Sequence, residues 1–161
     1  MNIIDNFLPE RVFRPIQSMF ESDTFSWYWN NHKSTYDDPM CSELEDYQFT
    51  HTFYLNHTKR SQYNIDPIIN QLKPNALVRI KANLTTRTSE IVKYGFHIDT
   101  NIHCKTAIYY INSNDGYTEF MDGNKVNSIE NRMVIFDSKL GHTGTSCTDS
   151  KRRIVVNFNY F

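Results

Sequence analysis

From Pro74 onward the chain never settles into the three-to-four-residue period of a helix; it runs through short apolar stretches of strand length, each closed by turn-forming residues. That pattern restricts the C-terminal half to sheet, and strands are predicted over 76–84, 91–99, 105–112, 117–121, 125–128, 132–137 and 153–161. Asn114-Asp115-Gly116 and Asp122-Gly123-Asn124 carry the chemistry of tight hairpins, while Gly141 and Gly144 bracket a stretch predicted to be irregular.

Ahead of Pro74 the pattern is mixed. Residues 2–7 read as a short strand, and Pro9 suits the first turn of a helix running to about Phe20, with Val12, Ile16, Met19 and Phe20 on one side. Phe25, Trp27 and Trp29 alternate with Ser26 and Tyr28 at strand spacing, which reads as a core stripe. Residues 30–46 mix polar, acidic and proline positions without period and predict a long loop; 47–55 predicts a strand, and 65–72 a second helix ended by Pro74. Two helices followed by a run of short strands predict a mainly β, α+β architecture, a two-sheet sandwich or open barrel with the N-terminal helices packed on the outside of one sheet. No repeat or linker divides the chain, and 161 residues suffice for a single domain spanning 1–161 with one continuous core.

Charge narrows the function classes. Seventeen basic against eighteen acidic residues leave a net charge of −1, which argues against bulk attraction to nucleic acid or to a membrane surface. No apolar run approaches the length that spans a bilayer, and Asp5 interrupts the start before a signal-peptide core can form, so a cytoplasmic protein is expected. Cys41, Cys104 and Cys147 are odd in number and form no CxxC pair, as expected of a reduced intracellular protein.

His97-Ile98-Asp99 ends a predicted strand, where residues two apart point to one face with Cα atoms about 6.6 Å apart. An imidazole and a carboxylate so placed can reach one divalent ion. A third ligand on the same side completes a two-histidine, one-carboxylate facial triad, whose remaining positions stay open. His142 is the best candidate, because it follows the strand 132–137 after a turn. His32, His51 and His57 fall in loops or the early strand, and His103 sits in a turn and is expected to face solvent.

The last predicted strand splits into two faces. Ile154, Val156, Phe158 and Tyr160 form an apolar face expected to pack against the N-terminal helices; Arg153, Val155 and Asn157 form the other. An inward arginine needs an anionic partner, since an unpaired buried guanidinium is costly, and a dicarboxylate cosubstrate would supply one through a bidentate contact. Alternation sends the neighbouring Arg152 to the helix-packed face or the rim. On the predicted strand 76–84, Arg79, Lys81 and Asn83 share one side, with Arg79 and Asn83 expected at a substrate mouth or else on a polar face looking into water.

Together, Tyr94-Gly-Phe-His-Ile-Asp99, Thr106-Ala-Ile-Tyr-Tyr-Ile-Asn112, Asp115-Gly-Tyr-Thr-Glu-Phe120, Phe136-Asp137, His142-Thr-Gly144 and Arg153-Ile-Val-Val-Asn157 resemble the core of the iron(II)- and 2-oxoglutarate-dependent oxygenases, the prolyl hydroxylases in particular. Asp5-Asn-Phe-Leu-Pro9 and Phe25-Ser-Trp-Tyr-Trp29 also resemble small stand-alone oxygenases of phages that infect marine cyanobacteria. The resemblance implies a double-stranded β-helix (jelly roll). It implies Fe(II) on His97, Asp99 and His142, with 2-oxoglutarate and O2 as cosubstrates. The far carboxylate of 2-oxoglutarate would lie on Arg153 and Tyr110, with Asn157 on the same inward face. Where many members have a double glycine, this chain has Gly116-Tyr117. The implied reaction is hydroxylation of an unactivated C–H bond, with release of succinate and CO2, on a small-molecule or peptide substrate for which a prolyl residue or proline is the leading guess. A carboxylate at Asp99 favours hydroxylation over halogenation. The alternative is a non-catalytic jelly-roll module that binds a metal or small ligand, as a phage accessory protein would.

Overall fold

A computed structural model of the protein describes residues 1–31, 33 and 47–161. The loop expected over 30–46, with His32 and Cys41, lies largely outside the described residues. Among the described residues, eleven strands and two helices follow in chain order. They are β1 (Asn2–Ile4), α1 (Glu10–Glu21), β2 (Tyr28–Asn30), β3 (Gln48–Leu55), β4 (Thr58–Lys59), α2 (Asp66–Leu72), β5 (Leu77–Thr86), β6 (Lys105–Tyr110), β7 (Tyr117–Phe120), β8 (Lys125–Asn127), β9 (Arg132–Asp137), β10 (His142–Gly144) and β11 (Arg152–Tyr160). A large sheet runs in the order β1-β9-β6-β11-β5-β3-β2, with β4 paired to β3, and a small sheet runs β10-β7-β8. Every paired strand in both sheets is antiparallel.

Helix α1 forms where Phe13, Ile16, Gln17 and Phe20 recur at helical spacing, and these four are its buried side chains. Val12 and Met19, expected on that face, sit at its margin, half-buried against the same core. The Pro9 carbonyl accepts from the N–H groups of Val12 and Phe13, which opens the helix. Helix α2 begins at Asp66-Pro67 and stops at Lys73, whose left-handed φ of 53° lets its N–H return to Ile69.

Both helices cover one face of the large sheet. Ile154, Val156, Phe158 and Tyr160 of β11 are buried in one apolar cluster with Phe13, Phe20 and Ile68, as alternation predicted. Burying a side chain such as Phe158 contributes about 1.5–3 kcal/mol. A smaller cluster fills the space between the two sheets at one end, where Tyr110, Phe120, Val126 and Phe136 meet. Arg152 reaches the rim, where its guanidinium donates to the Glu21 carbonyl at the end of α1. Cys104 and Cys147 are buried free thiols. No helix among the described residues is long and apolar enough to cross a membrane.

Three local expectations change. Residues 91–99 do not form a strand; Lys93 and His97 make only isolated bridges, to Thr145 and His142. Gly95 interrupts the alternation there, and Phe96 and Ile98 lie exposed, so no apolar face holds the segment to a sheet. The partner stretch 141–144, expected to be irregular, supplies β10 instead, because its ladder is satisfied by β7 on the other side. Of the aromatic stripe, only Tyr28 and Trp29 are in strand β2, and both are exposed. Phe25 is buried and Trp27 half-buried, packed with Phe20 and Phe53 rather than along a strand.

Candidate active site

The isolated bridge is what brings the motif residues together. His97 N–H donates to the His142 carbonyl at 2.9 Å and His142 N–H returns the bond at 3.0 Å, the double exchange of a hydrogen-bonded antiparallel pair. Their rings lie 4.9 Å apart. Asp99 follows two residues later on the same side, and ligand atoms of His97, Asp99 and His142 all fall within 4.8 Å of one another. Each imidazole has its Nδ1 toward a carbonyl, Gly95 at 3.1 Å for His97 and Leu140 at 3.3 Å for His142. A carbonyl can only accept, so Nδ1 carries the proton and Nε2 keeps its lone pair for a cation.

Electrostatics favour the ligand forms of these side chains. Burial pushes the His142 imidazole below its ordinary value, against the opposing pull of Asp99, so it stays neutral. Burial alone would raise the Asp99 carboxyl, but in the acid range where it titrates the positive charges of His142, Arg79 and His97 outweigh burial and hold the group below the ordinary carboxylate value. Two imidazoles and one carboxylate are the donor set that a borderline divalent metal such as Fe(II) takes. The residues therefore fit a metal.

A cavity of about 610 Å³ runs from this triad to Arg153. Its floor is the inner face of the large sheet: Arg79, Lys81, Asn83 and Thr85 of β5 beside Val155 and Asn157 of β11. Arg153 lies buried at the far end, 5% exposed. Its Nε donates to Ser128 at 2.8 Å and its Nη2 to Thr118 at 3.1 Å, and the group stands 5.6 Å from the Tyr110 ring centre. Among the described residues no carboxylate lies within ion-pair distance of it. Burial pushes the guanidinium down from its usual value, with Tyr110 and Tyr94 opposing.

Tyr110 is fully buried and does not line the cavity; its hydroxyl donates to Thr118 at 2.8 Å. Thr118 does line it. Since Thr118 Oγ1 accepts from both Tyr110 and Arg153, its own hydrogen is free for an acceptor in the cavity. Two glycines make the room. A Cβ on Gly144 would stand 3.3 Å from Arg153 Nη1, and one on Gly116 would stand 2.4 Å from the Ser146 carbonyl oxygen and 2.8 Å from Arg153 Cδ. The single glycine of Gly116-Tyr117 is therefore required, and its neighbour is not.

Of the residues expected at the substrate mouth, Arg79 and Asn83 both line the cavity. Arg79 Nη2 is 3.2 Å from Asp99 Oδ1 and its Nε donates to Asn159 at 3.1 Å. Asn83 Oδ1, Thr85 Oγ1 and Asn157 Oδ1 are buried without a hydrogen-bond partner. Orphaned buried oxygens gathered in one cavity mark a surface built for a ligand. The other described histidines lie elsewhere: His51 is buried between Ser26 and Ser61, His103 is exposed beside Asp137, and His57 is exposed. Thr118, Thr85, Ser128 and Asn159 were not singled out from sequence. Alternation along β5 carried the signal for Thr85, but nothing local distinguishes Thr118.

No protein-family model matches the chain, and no curated protein matches its sequence. Solved structures do match. A prolyl hydroxylase from Trichoplax adhaerens, in complex with a hypoxia inducible factor peptide fragment, superposes with a TM-score of 0.65 at 14% identity, over 99% of this chain and 82% of that one. The chain has the fold of the prolyl hydroxylases. That fold, the double-stranded β-helix expected from the motifs, is shared with the viral collagen prolyl hydroxylase of Paramecium bursaria Chlorella virus-1, solved with 2-oxoglutarate (TM-score 0.59, 12% identity, 98% of this chain and 93% of that one). It is shared too with a 2-oxoglutarate-Fe(II) oxygenase family oxidoreductase from Burkholderia pseudomallei (TM-score 0.64, 6% identity, 98% and 83%). The likeness to phage oxygenases rests on sequence motifs alone.

Proposed function

We propose that the chain is an iron(II)- and 2-oxoglutarate-dependent oxygenase that hydroxylates an unactivated C–H bond. The observation that carries this reading is the sharing of one cavity by two features: three metal-ligand side chains within 4.8 Å of one another, and a buried arginine without a carboxylate partner among the described residues. A metal site alone would suit many proteins. The second cationic feature, at a distance inside the same cavity, calls for an anion that spans both, which is what a keto-dicarboxylate does.

In this reading His97, Asp99 and His142 hold the metal. Arg153 takes the far carboxylate of 2-oxoglutarate, helped by the Thr118 hydroxyl, which Tyr110 orients from behind. Asn157 lies at the metal end, its Nδ2 donating to Asp99 over 3.4 Å and its Oδ1 without a partner. Bound there, iron(II) would supply oxygen activation coupled to decarboxylation of the cosubstrate, with succinate and CO2 as by-products. The protein's own part is orientation and exclusion of water: Val155 and Ile108 form an apolar wall, and Phe120 and Phe136 pack around His142. Asn83 and the rim of the cavity would receive a small-molecule or peptide substrate in the cytoplasm. A prolyl residue or free proline leads, since two of the solved structures that share the fold are prolyl hydroxylases by name.

The test is succinate release from the iron-loaded protein with 2-oxoglutarate, ascorbate and air, compared with His142→Ala. Release in the first and none in the second is expected. A search for a 16-dalton gain across peptides and free metabolites then identifies the substrate. Absence of both succinate and 2-oxoglutarate binding would leave the non-catalytic ligand-binding module instead.

A further inference from the structure

The three candidate metal ligands are not held in the same way. His97 and His142 are tied to each other by two backbone hydrogen bonds. Asp99 falls past that bridge, in a bend outside every strand, and its buried carboxylate is held by side chains. Arg79 Nη2 is 3.2 Å from Oδ1, while the Asn157 amide reaches Oδ2 only at 3.4 Å, the long limit of a hydrogen bond. Arg79 is itself anchored: its Nε donates to Asn159 Oδ1 at 3.1 Å, and Asn159 Nδ2 donates to Thr106 Oγ1 at 3.0 Å. Strand register explains the row, since Arg79 on β5 faces Asn159 on β11, which faces Thr106 on β6. Three adjacent strands thus carry a line of polar side chains that ends on Asp99.

We propose that Arg79 is a positioning residue for Asp99: its guanidinium, 3.2 Å from an Oδ1 that also lies 3.8 Å from His97 Nε2, fixes the rotation of the carboxylate, so that Asp99 offers a bound cation one oxygen in a set orientation and leaves the remaining positions to the cosubstrate. The proposal rests on reading His97, Asp99 and His142 as a metal centre. An unrestrained carboxylate can chelate through both oxygens, and the second oxygen would occupy a position that 2-oxoglutarate needs. A guanidinium suits the task because its fixed fork reaches Asn159 and Asp99 together, which a lysine ammonium on its flexible stem does not.

Cobalt(II) is the probe, because its visible bands report coordination number and geometry without turnover. In Arg79→Met the Co(II) bands are expected to change in position and intensity, and 2-oxoglutarate affinity of the Co(II)-loaded protein to fall about tenfold or more. Arg79→Lys keeps the charge without the fork, and is expected to keep the altered bands while recovering part of the 2-oxoglutarate affinity. Asn159→Ala leaves the Arg79 charge in place and removes its anchor, so its bands should move the same way by less. Unmutated bands and affinity in both Arg79→Met and Asn159→Ala would overturn the proposal and leave the metal centre standing. Failure of the unmutated protein to bind Co(II) would remove the metal centre, and this role with it. If Arg79→Met does not fold by circular dichroism, Arg79→Lys and Asn159→Ala carry the same decision.

Discussion

The two faces of the large sheet are built from the same strands and do opposite things. Toward the helices, β11 and β5 present Ile154, Val156, Phe158, Ile80 and Ala82, all buried in one apolar cluster. Toward the cavity the intervening residues are Arg153, Asn157, Arg79, Lys81, Asn83 and Thr85. The first face is saturated with contacts. The second leaves buried oxygens without partners on Asn83, Thr85 and Asn157, and a buried guanidinium without a carboxylate among the described residues. Burial pushes even Lys81 below its ordinary value, with Arg79 adding to the effect and Asp99 opposing it. A face that costs stability in the empty protein is kept for what it binds. Changes on the helix face should therefore move stability, and changes on the cavity face should move binding and turnover.

The largest effect should come from His97→Ala, which is expected to lower succinate formation at least about 100-fold, in line with the loss of a group acting in the reaction centre. Its urea unfolding midpoint should stay near that of the unmutated protein, because His97 is part-exposed and packs no core. A midpoint that collapses together with activity would break the division between the faces. Next, Phe158→Ala should cost about 3–5 kcal/mol in chemical denaturation by opening a cavity in the helix-covered core. The fraction still folded should bind Co(II) as the unmutated protein does; weakened binding in that fraction would mean that the two faces are coupled.

Arg153→Ala should raise the 2-oxoglutarate dissociation constant by an amount equivalent to about 1.5–3 kcal/mol, the range of a hydrogen bond to a charged group, as measured by calorimetry on Co(II)-loaded protein. An unchanged constant would place the far carboxylate elsewhere in the cavity, with Lys81 or Arg79 the first alternative, since Arg152 is turned to Glu21 at the rim. The smallest effect sharpens the comparison most. Asn83→Leu removes a buried oxygen that has no partner, so it should leave stability unchanged or raise it by up to about 1 kcal/mol in thermal unfolding, while weakening substrate-dependent turnover. A clear loss of stability would show that the Asn83 oxygen has a partner in solution.

Much of this was legible in order along the chain. The strands β5, β6, β7, β8, β9 and β11 fall where the alternation predicted them, and the sides of β11 were assigned correctly because a strand turns its side chains every second residue whatever it packs against. The HxD pair was legible from its two-residue spacing, although its segment is not a strand: His97 makes a single bridge and Asp99 lies in a bend. Residues 91–99 and 141–144 exchanged roles, irregular for strand and strand for irregular, because pairing there depends on what lies beside the segment rather than on its own pattern. Tyr110, expected on the cosubstrate, donates its hydroxyl to Thr118 of the small sheet, and it is Thr118 that lines the cavity.

What the sequence by itself determined is periodic and local: sheet rather than helix after Pro74, which side of each strand is apolar, and a histidine and carboxylate on one side of the chain. Only the tertiary structure decided that His142 bridges to His97, that Thr118 and Ser128 surround Arg153, and that Asn159 and Arg79 hold Asp99. Periodicity is written into every strand by backbone geometry, whereas these meetings depend on the order and register in which distant strands pair, and register is a property of the whole assembled sheet.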